Sequence, residues 1–277
     1  MKIQKEILKS RQNPTVKWAA SLCEKKNRDQ YRVFMLEGEK LTFEAAEAGL
    51  EVTHIFIAES KSVNLLKRLN ESFCGEKYRD MMVIILQDDV FSKISTEKAP
   101  QGIISIIKYL DFFKELDIIY KEEFFLSKHE RALALCSVRD PGNLGAVIRS
   151  AVAFGVDHII VTNDTADIYN TKTLRSAMGS IFRVKITSVK SFSSFIKAAR
   201  ENGRRVFAAE LTDNAVSLDA IDVNHEDIFV IGNEGHGISS EISHECTASV
   251  FIPISQKTES LNASVAASIF MWEQSKK

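Results

Sequence analysis

The stretch Asn143-Leu-Gly-Ala-Val-Ile-Arg149 decides the fold assignment of this chain. It follows an apolar run that is typical of a buried strand, and it opens a helix directly after Arg139-Asp140-Pro141-Gly142. Two later polar stretches have similar positions: Gly232-Asn233-Glu234-Gly235 lies at the end of another apolar run, and Ser260-Leu261-Asn262 precedes the last predicted helix. Polar residues that follow several buried elements indicate an α/β domain, in which ligands bind at the carboxyl ends of the strands.

The composition indicates an ordinary globular protein of one large or two ordinary domains. The chain has 277 residues, of which 45% are hydrophobic and 26% charged. Its apolar runs are too short to cross a membrane, so no membrane partner is expected. The beginning of the sequence lacks the apolar core of a signal peptide, and the four cysteines are scattered without a close pair. These features predict a cytoplasmic protein with neither disulfides nor a zinc site.

Charge is distributed unevenly along the chain, although the net charge is only −1. Residues 1–35 contain nine Lys or Arg and three acidic residues, whereas residues 206–256 contain nine Asp or Glu and no Lys or Arg. Such a basic segment is typical either of a solvated helical face or of a phosphate-binding surface. The two segments are therefore expected to meet different partners.

The first part of the chain, residues 1–108, is predicted to form a small α/β domain. A helix begins at Asn13-Pro14, because proline suits the first turn, and a second helix follows Gly38 and ends at Gly49. Strands are predicted at Tyr31–Leu36, His54–Ala58, Met81–Leu86 and Ile103–Ile107. Residues 109–127 contain no Pro or Gly and are interpreted as a connecting helix or packed segment.

Residues 128–277 are predicted to form a second α/β domain with a doubly wound sheet of about six strands. The predicted strands are Ala132–Ser137, His158–Thr162, Val184–Thr187, Val206–Glu210, Ile228–Ile231 and Ser249–Ile252. The predicted helices are Leu144–Phe154, Thr173–Ala177, Ser194–Asn202, Ile238–Cys246 and Leu261–Trp272.

Taken one at a time, the polar stretches have ordinary explanations as well as functional ones. Arg149 suits a surface position on an amphipathic helix, and Ser260 or Asn262 suits a helix N-cap. The glycines around Glu234 fit a plain turn; their spacing is neither a dinucleotide fingerprint nor a phosphate-binding P-loop. The histidines lack the spacing of metal ligands, so no metal is predicted.

Together, Asn143 to Arg149, Gly232 to Gly235 and Ser260 to Asn262 resemble the three motifs of the SpoU (TrmH-like) RNA 2′-O-ribose methyltransferases of the SPOUT superfamily. Asn13-Pro14 with Val16-Lys17, Phe34 with Glu37-Gly38, and Pro100-Gln101-Gly102 are similar to that family's N-terminal RNA-binding domain. The resemblance implies a C-terminal domain with a trefoil knot, which topology rules alone would not predict. It also implies S-adenosylmethionine as cofactor, RNA as substrate and a homodimer with the active site at its interface.

The resemblance assigns roles to individual residues of this chain. The catalytic positions are Arg149, Asn143, Glu234, Ser260 and Asn262. The cofactor positions are Glu210, Leu211, Ile231, Gly232, Asn233, Gly235, Ile252 and Leu261. One departure is Gln256, which stands where the family usually has glycine and adds a side chain to the cofactor loop.

The expected reaction is methyl transfer from S-adenosylmethionine to a ribose 2′-hydroxyl, with 23S ribosomal RNA as the favoured substrate. Transfer RNA is the alternative substrate, and a non-catalytic RNA-binding protein that kept the scaffold is the alternative function. The sizeable N-terminal domain favours ribosomal RNA, by analogy with the family. A role in antibiotic resistance through ribosomal RNA methylation also fits the sequence.

Overall fold

The computed structural model describes the chain except residues 5, 112, 118, 120–123, 256 and 277, so the expectation about Gln256 lies outside the described residues. The chain divides into two compact units. The first contains Met1–Leu110 and Tyr169–Leu174, and the second contains Asp111–Ile168 and Arg175–Lys277. In the part of the chain that is described, no helix is both long and apolar enough to cross a membrane.

The first unit is built on a sheet of five strands in the order β1-β4-β3-β5-β2. Strands β1, β4 and β3 are parallel, and β5 runs antiparallel to both β3 and β2. The strands are β1 (Lys2–Ile3), β2 (Val33–Glu37), β3 (Val52–Ala58), β4 (Met82–Leu86) and β5 (Ile103–Lys108). The helices are α1 (Pro14–Ser21), α2 (Lys25–Tyr31), α3 (Glu39–Glu47), α4 (Ser62–Ser72) and α5 (Asp88–Ile94).

One predicted strand of this unit begins later than expected. Tyr31 is the last residue of helix α2, and Arg32 adopts a left-handed conformation with φ 54°. That conformation ends the helix, so the strand begins at Val33. The short polar helix α2 was absent from the prediction because it lacks an apolar stripe.

The Glu37-Gly38 and Pro100-Gln101-Gly102 motifs meet in the structure. Gly38, with φ 108°, precedes helix α3 and has no side chain with which to cap it. The Gln101 side-chain oxygen instead accepts a hydrogen bond from the backbone N–H of Glu39 at 2.9 Å. Gln101 therefore caps α3 from a distant part of the chain, which gives this motif a structural role.

The second unit contains an eight-stranded sheet, in which every neighbouring pair of strands is parallel, in the order β11-β13-β10-β12-β7-β8-β9-β6. The strands are β6 (Phe113–Leu116), β7 (Ala132–Leu135), β8 (His158–Thr162), β9 (Lys185–Val189), β10 (Val206–Ala209), β11 (Val216–Ser217), β12 (Ile228–Ile231) and β13 (Ala248–Phe251). The helices are α6 (Pro141–Ala153), α8 (Phe192–Glu201), α9 (Ser240–Glu245) and α10 (Ala263–Ser275). Of helix α7 (Thr171–Ala177), residues 171–174 belong to the first unit and residues 175–177 to the second.

The six predicted strands of this sheet are present, and the two that the prediction lacked, β6 and β11, lie at its two edges. Both are short and largely exposed, so neither carries the apolar run that marks a buried strand. Of the two interpretations of residues 109–127, a helix does not hold for Phe113–Leu116, which form an edge strand. Beyond β6, Ile119 and Leu126 are buried against the core of the unit.

An aromatic stack anchors the last helix on the central strand β12. The Phe229 ring lies between those of Phe207 and Phe270, with ring centroids 5.6 and 4.7 Å away. Helix α10 also packs against α6, where the Ser268 hydroxyl donates to Ser150 at 2.9 Å. These contacts hold the start of α10 beside the start of α6, at the edge where the parallel strands end.

Candidate active site

The start of helix α6 presents Asn143 at the carboxyl end of β7. Asp140 is the N-cap, and its carboxylate accepts a hydrogen bond from the backbone N–H of Asn143 at 2.9 Å. Pro141 occupies the first helical position, where its missing N–H has no cost. Asn143 is therefore the third residue of the helix, and the structure fixes its backbone in the first turn.

The glycine loop after β12 is a tight turn that needs Gly232. Backbone hydrogen bonds of 2.9 Å join Asn233 and Gly237 in both directions. A Cβ atom added at Gly232 would lie 2.5 Å from the carbonyl carbon of Gly237, a separation that real Cβ atoms do not show. The Asn233 side chain braces the loop: its oxygen accepts from the Gly235 N–H at 2.9 Å, and its nitrogen donates to the Ser137 carbonyl at 2.8 Å.

A chain of side-chain hydrogen bonds joins the three motifs. Asn262 is the N-cap of α10, and its oxygen accepts from the backbone N–H of Ser264 at 2.9 Å. The remaining amide nitrogen donates to the Asn143 oxygen at 3.0 Å, so the Asn143 nitrogen is left to donate to Glu234 at 2.9 Å. The cap at α10 therefore sets the direction of both amides up to the carboxylate.

The environment of Glu234 favours its charged form. Partial burial opposes ionisation, but hydrogen bonds from Asn143 and from backbone N–H groups outweigh it and hold the pKa of Glu234 below its usual value. The backbone donors include those of Arg139 and Asp140, both at 3.4 Å. Glu234 is thus an exposed, ionised carboxylate and a weak base, suited to orienting groups around it.

A cavity of about 840 Å³ opens beside this chain, at the carboxyl ends of β10, β12 and β13. This size lies within the usual range of small-molecule sites. All eight residues predicted to bind the cofactor line it: Glu210, Leu211, Ile231, Gly232, Asn233, Gly235, Ile252 and Leu261. Glu234 and Ser260 line the same cavity, whereas Asn143, Asn262 and Arg149 are not among its lining residues.

Arg149 is separate from the cluster within its own chain. It is exposed on α6, six residues after Asn143, which places it about 120° around the helix axis and about 9 Å further along it. In the described residues, no hydrogen bond or ion pair engages its guanidinium. The structure therefore joins Asn143, Glu234 and Asn262 by hydrogen bonds. Ser260 lines the cavity with Glu234, and Arg149 faces solvent.

Several lining residues were absent from the sequence prediction. Phe270 of α10 lines the cavity while it packs on Phe229, and buried phenylalanines on a helix are indistinguishable from core in a sequence. The cavity is also lined by Pro253, Ile254, Ser255, Thr258, Glu259, Ala263 and Ala266. Asp140, which caps α6 and does not line the cavity, could have been found from the sequence, because an Asp-Pro pair before a helix is a recognisable N-cap signal.

Comparison with known proteins identifies the class to which this fold and site belong. Residues 130–272 match the SpoU rRNA Methylase family, and residues 13–105 match the MRM3-like substrate binding domain. The first match covers more than half of the chain, so the chain belongs to the SpoU rRNA Methylase family. The predicted family, fold class and enzyme class are thereby confirmed.

Two relatives match along almost the entire chain. The 23S rRNA (guanosine(2553)-2′-O)-methyltransferase RlmP of Bacillus subtilis is 28% identical over 265 residues, which cover 96% of this chain and 97% of that protein. An AdoMet-bound rRNA methyltransferase from Sinorhizobium meliloti superposes with a TM-score of 0.81 at 28% identity, over 99% of this chain and 98% of the other.

The glycine loop gives a direct test of the cavity. In Gly232→Ala, the added Cβ would force the loop away from Gly237, so we expect a loss of about 1–3 kcal/mol of stability and at least a tenfold weaker binding of S-adenosylmethionine. Gly75→Ala is the control, because Gly75 lies in the first unit with a φ of −75°, and a Cβ there would meet nothing closer than 3.8 Å. Thermal unfolding and calorimetric titration measure both effects. Equal affinities in the two variants would contradict this description of the cavity.

Proposed function

We propose that this protein transfers the methyl group of S-adenosylmethionine to a ribose 2′-hydroxyl of 23S ribosomal RNA in the cytoplasm. The observation that carries the proposal is the cavity at the carboxyl ends of β10, β12 and β13, with the ionised Glu234 at its wall. Membership of the SpoU rRNA Methylase family and the Bacillus subtilis relative support the reaction and the kind of RNA.

The cavity has the chemistry that S-adenosylmethionine requires. Its walls include the apolar side chains of Leu211, Ile252 and Leu261, which suit an adenine ring, and the exposed backbone of the glycine loop, which suits polar groups. Glu210 braces one wall, because its carboxylate accepts hydrogen bonds from the hydroxyls of Ser243 and, at 2.7 Å, Ser249. When bound, the cofactor supplies an electrophilic methyl group on a sulfonium.

In the proposed reaction, a bond forms between the 2′-oxygen and the methyl carbon while the carbon–sulfur bond breaks and the hydroxyl proton leaves. Holding the oxygen in line with the methyl contributes about 7–11 kcal/mol in favourable cases. Asn143, Asn262 and Ser260 are proposed to position the ribose, with Glu234 fixing the Asn143 amide. The proposed task of the Arg149 guanidinium, which has donors and no acceptor, is to bind the developing alkoxide and the neighbouring phosphate, which accepts the proton.

Ribosomal RNA is favoured over transfer RNA as the substrate because a separate α/β domain precedes the methyltransferase domain. That domain matches the MRM3-like substrate binding domain. The predicted division into residues 1–108, 109–127 and 128–277, and the trefoil knot that the resemblance implies, are part of this proposal. A protein that only binds RNA would have no use for the cavity, and it would fail to bind S-adenosylmethionine in a calorimetric titration.

The catalytic assignment is tested by transfer of labelled methyl to a 23S ribosomal RNA transcript. We expect Arg149→Ala to lower turnover at least about 100-fold, because it removes a donor to the developing negative charge. Arg149→Lys keeps a charge but loses the forked donors, so its turnover should lie between those of the parent and the alanine variant. Affinity for S-adenosylmethionine, measured separately, should stay at the parent value. Near-parent turnover of Arg149→Ala would remove Arg149 from the proposal.

We also propose that the protein is a homodimer in which Arg149 acts at the site of the other copy. Arg149 is exposed and lies on a different face of α6 from Asn143. The neighbouring helix α10 exposes Val265 and Trp272, which are 47% and 52% accessible, and the Trp272 ring meets Phe154, the C-cap residue of α6, edge-on at 5.9 Å. Exposed apolar side chains on one of two packed helices and an exposed arginine on the other suit a symmetric interface.

Mixed dimers distinguish an Arg149 that acts at the site of the other copy from one that acts at the site of its own chain. Arg149→Ala and Asn143→Ala chains carrying different tags would be co-expressed, and the mixed dimer purified. If Arg149 acts at the other copy's site, one of the two sites is complete, and we expect about half the parent turnover. If Arg149 acts within its own chain, both sites lack a residue and the mixed dimer should be inactive. Failure to capture a mixed dimer would argue against the homodimer itself.

A further inference from the structure

A hydrogen-bonded network centred on Asp164 lies next to the site, at the carboxyl ends of β7 and β8. Its Oδ1 atom accepts from the Ser137 hydroxyl at 2.9 Å and from the Thr162 hydroxyl at 2.7 Å. Its Oδ2 atom accepts from Nη2 of Arg139 at 2.9 Å. Burial opposes ionisation, but these hydrogen bonds outweigh it and hold the pKa of Asp164 below its usual value. Asp164 is thus a charged anchor with several partners.

The same network is tied to the glycine loop. Ser137 adopts a left-handed conformation with φ 58°, and its N–H donates to the Thr162 hydroxyl at 2.8 Å. Its carbonyl accepts from the Asn233 side chain, next to Glu234. The Arg139 backbone N–H in turn approaches Glu234 at 3.4 Å. Arg139 is therefore held at two points. Its backbone lies next to Glu234, and its guanidinium is bound by Asp164.

Structural stability does not account for the Arg139–Asp164 pair. The Arg139 side chain is 66% exposed and that of Asp164 is 40% exposed. Exposed pairs of this kind contribute about 0–1 kcal/mol. Among the described residues, Asp164 is the hydrogen-bond partner found for the Arg139 guanidinium, so its remaining N–H groups face solvent in a fixed orientation. A forked, preoriented arginine is suited to binding the oxygens of a phosphate.

The charges along this edge indicate what Arg139 would meet. Nearby carboxylates are already engaged: Asp140 caps α6, and Glu234 accepts from Asn143. An RNA strand whose ribose lies at Asn143 and Glu234 carries a phosphate on each side of that ribose. Because the Arg139 backbone lies 3.4 Å from Glu234 and its guanidinium is held on the β8 side of the site, a phosphate on that side of the ribose would meet the guanidinium. Arg139 is a cation in that position.

We propose that Arg139, positioned by Asp164, binds a backbone phosphate of the RNA next to the methylated ribose. The proposal rests on the proposed function, because the ribose site defines where the phosphate lies. Asp164 is a positioning residue that does not itself touch the RNA. Arg139 contributes to binding the RNA strand rather than to the methyl transfer, since it acts equally in the ground state and the transition state.

The test measures KM and kcat for methyl transfer to a 23S ribosomal RNA transcript at several KCl concentrations. For Arg139→Ala we expect KM for the RNA to rise about tenfold or more, the value of a charge-assisted hydrogen bond, with kcat nearly unchanged. The slope of log KM against log salt should fall by about 0.7, because one phosphate contact with single-stranded RNA is lost. Asp164→Asn should raise KM less, and the double variant should be no worse than Arg139→Ala.

Lys185→Ala is the matched control. Lys185 has an exposed side chain that also forms an ion pair, with Glu130 at 2.5 Å, but it is the first residue of β9 and so lies at the amino ends of the strands. Its removal should leave KM and the salt slope at parent values. If the parent is active and Arg139→Ala has the parent's KM and salt slope, the inference is wrong and the proposed function stands. If the parent transfers no methyl to this RNA while it binds S-adenosylmethionine, the proposed function fails first.

Discussion

The site depends on one hydrogen-bond chain, from Asn262 through Asn143 to Glu234. Its three members come from the starts of two helices and the end of a central strand. Asn143 is 91 residues from Glu234 and 119 residues from Asn262 along the chain. An amide has a donor side and an acceptor side, so the cap that Asn262 makes on α10 fixes the orientation of every amide that follows. A carboxylate at the end of this chain stays ionised. The helix cap on α10 and the charged wall of the cavity are therefore linked by one chain of hydrogen bonds.

The sheet makes that arrangement possible because all of its neighbouring strands are parallel. Their carboxyl ends meet at one edge, where the loops after β10, β12 and β13 form the cavity and the loops after β7 and β8 form the Arg139–Asp164 network. Phe229 on β12 holds Phe270 of α10 over the middle of the sheet, and this contact keeps the cap residue Asn262 near Asn143. The path from cofactor to RNA would then run along this edge, from the cavity past Glu234 to Arg139.

Much of this could be predicted from the sequence, because the relevant signals are local. Six buried strands have apolar runs, Asp140-Pro141 marks a helix start, and the three polar stretches follow buried elements in order. The edge strands β6 and β11 carry no such run, so they were beyond prediction. Phe270 could not be predicted as a cavity residue either, because in a sequence it looks like any other core phenylalanine. Nor could the role of Asp164, since the pairing of β7 with β8 brings its partners Ser137 and Arg139 to it. Long-range pairing decides such contacts, and no local pattern encodes it. The direction of Arg149 is similar, since the sequence gives its position on α6 but not what it faces.

Methylation of a 23S ribosomal RNA ribose at the carboxyl ends of these strands can be measured in the RNA itself. Ribose 2′-O-methylation would be mapped along that RNA from cells with and without the gene. We expect one 2′-O-methyl group to disappear with the gene and to return when the purified protein and S-adenosylmethionine are added to the unmodified RNA or its particles. An unchanged methylation map, with no methyl added to either substrate, would contradict the proposed function.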